Sequence, residues 1–455
     1  MKKDNFYYKV KGEYKISHGK LINFLASNGF AKVIEDKEVK LVYVRNKIIK
    51  EVMDVNISDY IVNFLRRKGL REVLNVFSRS VGHYLSKKLL QTLPTLDLLY
   101  PKDKIDTAYF YYKNAVVCVN KDKIDTIEFH DLKKPIWEGL IIDYPINIVD
   151  YKSSQFESFM YNISNKQEGR FESLKSIIGY LLHNYQDPSF ARSVILVDEK
   201  ISNDGSANGG TGKSLINQAI SKLRNVLTVD GKNLKNESRF FFQQVNKTTN
   251  VICYDDVRRD FDFETLYSSI TSGINVEKKY KAEISIPFKD SPKILISSNY
   301  AVIGTGGNTD SRRRIEFEVA NYYTKDFTPI KEFENRFFDE WDTEEWNNFY
   351  LFMIDCVQFY LNNGVIFPKP INLKENKLEQ ITCSEFIEYM DANLEVNTRL
   401  DKRDFYKEFL KFSNRVEFSQ HIFTKWLRVF ALYNDLEYSD KSSNGSYYFK
   451  FSTKK

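Results

Sequence analysis

One stretch of this 455-residue chain limits its folding more than any other: residues 191–223, ARSVILVDEKISNDGSANGGTGKSLINQAISKL. The β-branched run 194–197 predicts a buried strand, and the apolar spacing after Lys213 predicts a helix. Between them lies a polar, glycine-rich loop. Ala207, Asn208, Gly209, Gly210, Thr211, Gly212, Lys213 and Ser214, with Leu215 beginning the helix, fit a phosphate-binding loop with Ala in the first glycine position. Glycines let the backbone curl so that successive N–H groups face a phosphate, and the helix N-terminus adds its positive dipole end. Lys213 then reaches the β- and γ-phosphates, and the Ser214 hydroxyl binds Mg²⁺. A strand–loop–helix unit of this kind needs parallel neighbours, so residues 192–323 read as an α/β domain.

A nucleotide site of this type needs carboxylates. Val251–Val257 (VICYDDV) is an apolar strand ending in adjacent aspartates, with Asp255 lying 42 residues after Lys213. Carboxylates at the C-terminal edge of a parallel strand lie beside such a loop. Asp255 is assigned to the Mg²⁺ shell, with Ser214, and Asp256 to orienting or deprotonating the attacking water. A third apolar strand, PKILISSNY (292–300), places Asn299 at its tip, where it would help position the water. Three arginines then precede a further strand: Arg312, Arg313 and Arg314. A guanidinium presented across a subunit boundary stabilises charge on a transferring phosphoryl group, a role assigned here to Arg312 and Arg313. The plainer alternatives are a solvated basic turn or a sensor within one subunit.

Residues 1–152 alternate helical and extended patterns without a catalytic signature. A helix is expected over 18–30, a hairpin over 39–52 turning at Asn46, and a helix over 58–69 capped by Ser58. Residues 108–122 read as β-structure turning at Lys113-Asn114, and the polar stretch 153–169 reads as a boundary. A helix over 170–185, helical structure over 331–365 and a proline-containing linker at 367–373 follow. The expected division is 1–152 (mixed α+β, for assembly or docking), 153–330 (ATPase), 331–370 (helical segment and linker) and 371–455 (C-terminal domain). The 35 Phe and 29 Tyr supply ample core material and exclude a mainly disordered chain. Cys118, Cys253, Cys356 and Cys383 form no CxxC pair, so buried free thiols are expected rather than zinc or disulfides. No apolar run suits a membrane span and no secretory leader follows Met1, so a cytoplasmic location is expected. The net charge of +6 permits a polyanionic partner without demonstrating one.

The order AxxxxGKS, ICYDD, a basic segment, PKILISSN and SRRR, within about 110 residues, resembles the superfamily 3 helicases of the AAA+ class. It is most similar to the helicase half of phage and mobile-element primase–helicases, which are related to the poxvirus primase–helicase. The resemblance covers about residues 166–330 and departs at Ala207; no primase motif stands upstream. It implies an AAA+ P-loop core with a winged-helix-like C-terminal domain and an ATP- and Mg²⁺-dependent motor. That motor would unwind forked DNA along a single strand as a ring, expected to be a hexamer, inside a bacterial host cell. The primase and polymerase of the same element are its implied partners. It also implies a DNA-tracking hairpin, here within residues 273–293, whose Lys278, Lys279, Lys281 and Lys289 would contact phosphates while Tyr280 stacks or packs. Toward the C-terminus, two helices (402–412 and 419–432) and a hairpin turning at Asn444-Gly445 suit a winged helix. Lys425, Arg428 and Lys441 are its candidate DNA contacts, protein contact being the alternative. Two other functions share these motifs: an initiator ATPase that melts DNA without processive unwinding, and a protein-remodelling ATPase.

Overall fold

The computed structural model describes residues 5–35, 38–97, 102–149, 152–200, 210–233, 242–277, 283–304, 306–415, 418–443 and 446–453. The stretch expected as a polar boundary is mostly helix. Phe156, Phe159, Met160 and Ile163 recur at helical spacing and form the buried stripe of α1 (Gln155–Ile163). Ser154 caps it, its hydroxyl accepting from the Glu157 N–H at 3.0 Å. α2 (Glu168–Leu182) follows and packs along a later helix.

The strand–loop–helix unit then opens a five-stranded sheet. Its elements are β1 (Ser193–Asp198), α3 (Lys213–Ser221), β2 (Val226–Asp230), β3 (Val251–Val257), β4 (Lys293–Ser298) and β5 (Arg314–Val319). Every pairing is parallel, and the order is β2-β3-β4-β1-β5. β1 and β4 are buried throughout, which explains the apolar runs Val194–Val197 and Ile294–Ile296 in the sequence. Between β3 and β4 a hairpin pairs Gly273–Val276 with Ile284–Pro287. The long helix α4 (Thr343–Asn363) lies against α2, and Gly179 permits their close approach: a methyl group there would run into the Cys356 carbonyl.

The domain boundary expected at 152/153 falls inside a shared core. Ala108, Phe110, Tyr112, Val117 and Val119 pack in one cluster with α1, α2, β1, α3 and α4. The buried Asp103–Arg224 ion pair, at 2.7 Å, ties the same region to the end of α3. One core cluster of the N-terminal part runs from Phe6 to Leu93, and the chain returns to this part where Ile136 and Trp137 pair with Ile48 and Ile49. Within that part the helix predicted from Ser58 begins earlier, at Asp54. Its start is fixed by the Met53 N–H donating to the Asn56 side chain at 2.8 Å, so Ser58 is an interior residue.

The C-terminal unit comprises α5 (Ser384–Asn393), β6 (Leu400–Asp401), α6 (Lys402–Phe412), α7 (Gln420–Tyr433), β7 (Leu436–Ser443) and β8 (Ser446–Thr453). Its antiparallel sheet has the order β6-β8-β7 and closes over an aromatic core around Phe386, Phe409 and Phe423. The predicted turn Asn444-Gly445 lies outside the described residues. Lys425, Arg428 and Lys441 are exposed, and Arg428 approaches Asp440 at 3.8 Å. No helix among the described residues is long and apolar enough to cross a membrane.

A pH-dependent contact joins α1 to α4. Glu345 accepts from the Gln155 N–H at 2.7 Å, and burial, with Asp342 and Glu344 nearby, raises its pKa to about 7. A raised carboxyl pKa favours the folded state below the ordinary value, and that contribution is lost as pH rises towards 7. Glu345→Gln keeps the acceptor without the charge. It should stabilise the protein at pH 8 by about 1–2 kcal/mol and change little at pH 4.5, as read from thermal unfolding at the two pH values.

Candidate phosphate-binding site

Four chain segments converge at the C-terminal edge of the sheet. The first is the end of the glycine loop. Gly210 and Gly212 both adopt φ of 107°, a conformation that side chains disfavour. A Cβ at Gly212 would also stand 2.5 Å from the Phe159 ring of α1. Gly212→Ala should therefore displace the loop from α1 and lower stability by about 1–3 kcal/mol in thermal unfolding. Ala207, Asn208 and Gly209 lie outside the described residues. Ser214 and Leu215 stand in the first turn of α3, Ser214 being exposed.

The second segment is the tip of β1. Asp198, which the sequence reading passed over, accepts from Lys213 Nζ at 2.5 Å and from the Thr211 hydroxyl at 2.5 Å. Its signal was present: an acidic residue ends the apolar run Val194–Val197, ahead of the glycine-rich stretch, a position otherwise read as ordinary strand termination.

The tips of β3 and β4 supply the rest. The β3–β4 register is irregular between Tyr254 and Val257, and Asp256 there has φ of 55°. Such a bulge re-aims side chains at a strand end. Asp255 and Asp256 consequently diverge. The Asp255 carboxylate accepts from the Ser297 hydroxyl at 2.5 Å, and that hydroxyl oxygen accepts from the Asp256 N–H at 3.0 Å. The Asp256 carboxylate accepts from Asn299 Nδ2 at 2.8 Å and pairs with Lys232. Asn299 Oδ1 accepts in turn from Lys213 Nζ at 3.1 Å. A continuous polar chain thus runs Asp198–Lys213–Asn299–Asp256–Lys232. It exists because β4 lies between β1 and β3, which sets Asn299 between the loop lysine and the carboxylates.

The arginines stand elsewhere. Arg314 begins β5 opposite Ser193, the first residue of β1, whereas Asp198 at the other end of β1 pairs with Val319. Arg312–Arg314 and Lys213 are therefore about one strand length apart, roughly 16 Å, on opposite edges of the sheet. The three arginines also differ. Arg314 is buried in ion pairs with Asp310 (2.6 Å) and Glu316 (3.0 Å). Arg313 donates to the Thr309 carbonyl at 2.6 Å and lies over the Tyr267 ring. Arg312 is exposed and has no side-chain partner among the described residues.

Lys278, Lys279, Tyr280 and Lys281 lie outside the described residues. Lys289 is among the described residues. It is exposed on a short turn, Phe288–Asp290, at the hairpin's foot, where its carbonyl accepts from Lys102 Nζ at 3.0 Å. Cys253 and Cys356 are buried free thiols, while Cys118 and Cys383 are partly exposed. Among the described residues no group of three or more His, Cys, Asp or Glu side chains could hold a metal ion unaided. Mg²⁺ is commonly held by one or two protein oxygens together with substrate phosphates, and the Asp255 carboxylate is engaged by the Ser297 hydroxyl while Ser214 is exposed.

A model of a family of unknown function, DUF5906, matches residues 205–314, a span holding the described loop residues, both aspartates, Asn299 and Arg312–Arg314. No curated protein sequence matches the chain. Three solved structures of the NrS-1 C-terminal region resemble it. Two A-form apo structures match with TM-scores of 0.43 and 0.46, each at 12% identity. They cover 95% of this chain and 99% and 98% of theirs. A further apo structure has a TM-score of 0.42 at 11% identity and covers 94% of this chain and 98% of its own.

Proposed function

We propose that this chain is an ATP- and Mg²⁺-dependent DNA helicase of the superfamily 3 AAA+ type, acting as a ring in phage or mobile-element replication. The supporting observation is the division of polar groups between the two sheet edges. Lys213, Asp255, Asp256 and Asn299 gather at one edge, while the exposed Arg312 stands at the other. In this reading Lys213 and the loop N–H groups hold the nucleotide phosphates, and Asp256, oriented by Asn299, positions the attacking water. Mg²⁺, held by Ser214 and Asp255, would neutralise charge developing on the phosphates.

Arg312 is too far from its own loop to assist there, so a neighbouring subunit would supply it, as a head-to-tail ring does. The hairpin of residues 273–287 and the lysines it carries would face DNA in the ring's channel, and the C-terminal unit is read as a winged helix.

Subunit mixing tests this arrangement. Lys213→Ala and Arg312→Ala should each be inactive alone. In an equimolar mixture about a quarter of the interfaces combine an intact lysine with an intact arginine, so hydrolysis should return. Arg312→Ala retaining full turnover by itself would contradict a role in trans.

A further inference from the structure

We propose that Asp198 is the internal counter-ion of Lys213, a positioning residue that yields the lysine to a nucleotide's phosphate and so sets nucleotide affinity. The proposal rests on the reading of the glycine loop as a nucleotide site. An ammonium group has three N–H donors. In this chain Lys213 uses them on Asp198 Oδ1 (2.5 Å), Asn299 Oδ1 (3.1 Å) and the Thr211 hydroxyl oxygen (3.3 Å). The Thr211 hydroxyl meanwhile donates to the same Asp198 oxygen. The lysine is thus satisfied by its own chain, and the end of the loop is fastened to the tip of β1.

The pair is buried, with Lys213 8% exposed and Asp198 2% exposed. Yet it is incomplete. Asp198 Oδ2 is buried and finds no partner among the described residues. A buried carboxylate oxygen left unpaired is costly, and groups of this kind concentrate where a further ligand completes the network. Here that ligand would be a hydrogen-bond donor arriving with the nucleotide, a metal-bound water being the chemical class that fits.

Asp198 is no part of the expected hydrolytic set of Lys213, Asp255, Asp256 and Asn299. It acts through Lys213. A triphosphate has to compete with this carboxylate for the lysine and also approaches a negative charge, so Asp198 opposes binding and favours release. That bias suits a cycling motor, which must let go of product on every turn.

Asp198→Asn preserves shape and hydrogen bonding while removing the charge. Two measurements on the full chain test the idea. The first uses no nucleotide: acetylation of Lys213 by an amine-reactive reagent, followed by mass spectrometry, should run several-fold faster in Asp198→Asn than in wild type. The second is titration with fluorescent Mg²⁺–ATP and Mg²⁺–ADP, which should bind roughly tenfold more tightly to the variant. In steady state KM for ATP should fall while kcat does not rise; a merely structural role would raise KM and lower kcat together. Wild-type nucleotide binding with equal or weaker binding by Asp198→Asn would overturn the role of Asp198 alone. No nucleotide binding by either protein would overturn the nucleotide reading, and this role with it, whatever the labelling shows.

Discussion

Replacing Lys213 with alanine should reduce ATP turnover by roughly 10²–10³-fold, the usual cost of losing one preorganised charge partner at a reacting phosphate or oxyanion. The structure makes this variant harder to interpret than a surface substitution. Lys213 neutralises the buried Asp198, and removing one partner of a buried ion pair is itself strongly destabilising. The informative comparison is therefore Lys213→Ala beside the double variant Asp198→Asn/Lys213→Met, which removes both charges and keeps the volume. The double variant should regain the thermal stability lost in Lys213→Ala and still fail to hydrolyse ATP, as measured by phosphate release. Recovery of turnover along with stability would mean that Lys213 serves the fold and not the phosphates.

The second large effect is on folding. Arg314→Ala should lower the unfolding free energy by about 3–5 kcal/mol, the range seen when one partner of a buried charge network is removed. Arg314 donates to Asp310 at 2.6 Å, to Glu316 at 3.0 Å and to the Val302 carbonyl at 2.8 Å, and its guanidinium covers the Phe263 ring. Asp310 would keep the Tyr267 hydroxyl and Glu316 would keep Lys377, so the loss is large but bounded. Arg312→Ala, two residues earlier, touches none of this and should shift stability by less than about 0.5 kcal/mol. Urea unfolding of the two variants side by side measures the contrast. Equal destabilisation would show that Arg312 also belongs to the structural network and would weaken its assignment to a neighbouring site.

Those three arginines illustrate what a sequence does and does not disclose. Their place before a strand is legible, because the apolar run after Arg314 marks β5. Their division of labour is not, because it depends on Asp310, Glu316 and Phe263, which only the fold brings to Arg314. The convergence of the loop with the tips of β3 and β4 follows from strand-terminal polar residues at Asp255, Asp256 and Asn299. The bulge that turns Asp256 away from Asp255 leaves no mark in the sequence, since Asp-Asp ends many strands. Asp198 was hidden for a similar reason, its partner standing fifteen residues later across a glycine loop. The helix α1 was readable from Phe156, Phe159, Met160 and Ile163, but the polar residues between them disguised a buried stripe as a linker. At the helix that begins with Asp54, a side-chain amide at Asn56 outcompeted the expected serine cap, a local choice that propensity ranks too closely to decide.

On the function proposed above, the chain would couple ATP hydrolysis to movement along DNA. Unwinding of a tailed duplex at ring-forming concentrations, with wild type, Lys213→Ala and Lys279→Ala, tests it most directly. Wild type should separate the strands only with Mg²⁺–ATP, Lys213→Ala should neither hydrolyse nor unwind, and Lys279→Ala should hydrolyse without unwinding. Wild-type ATP turnover that no DNA stimulates, with no strand separation, would contradict the account and leave an ATPase acting on some other substrate.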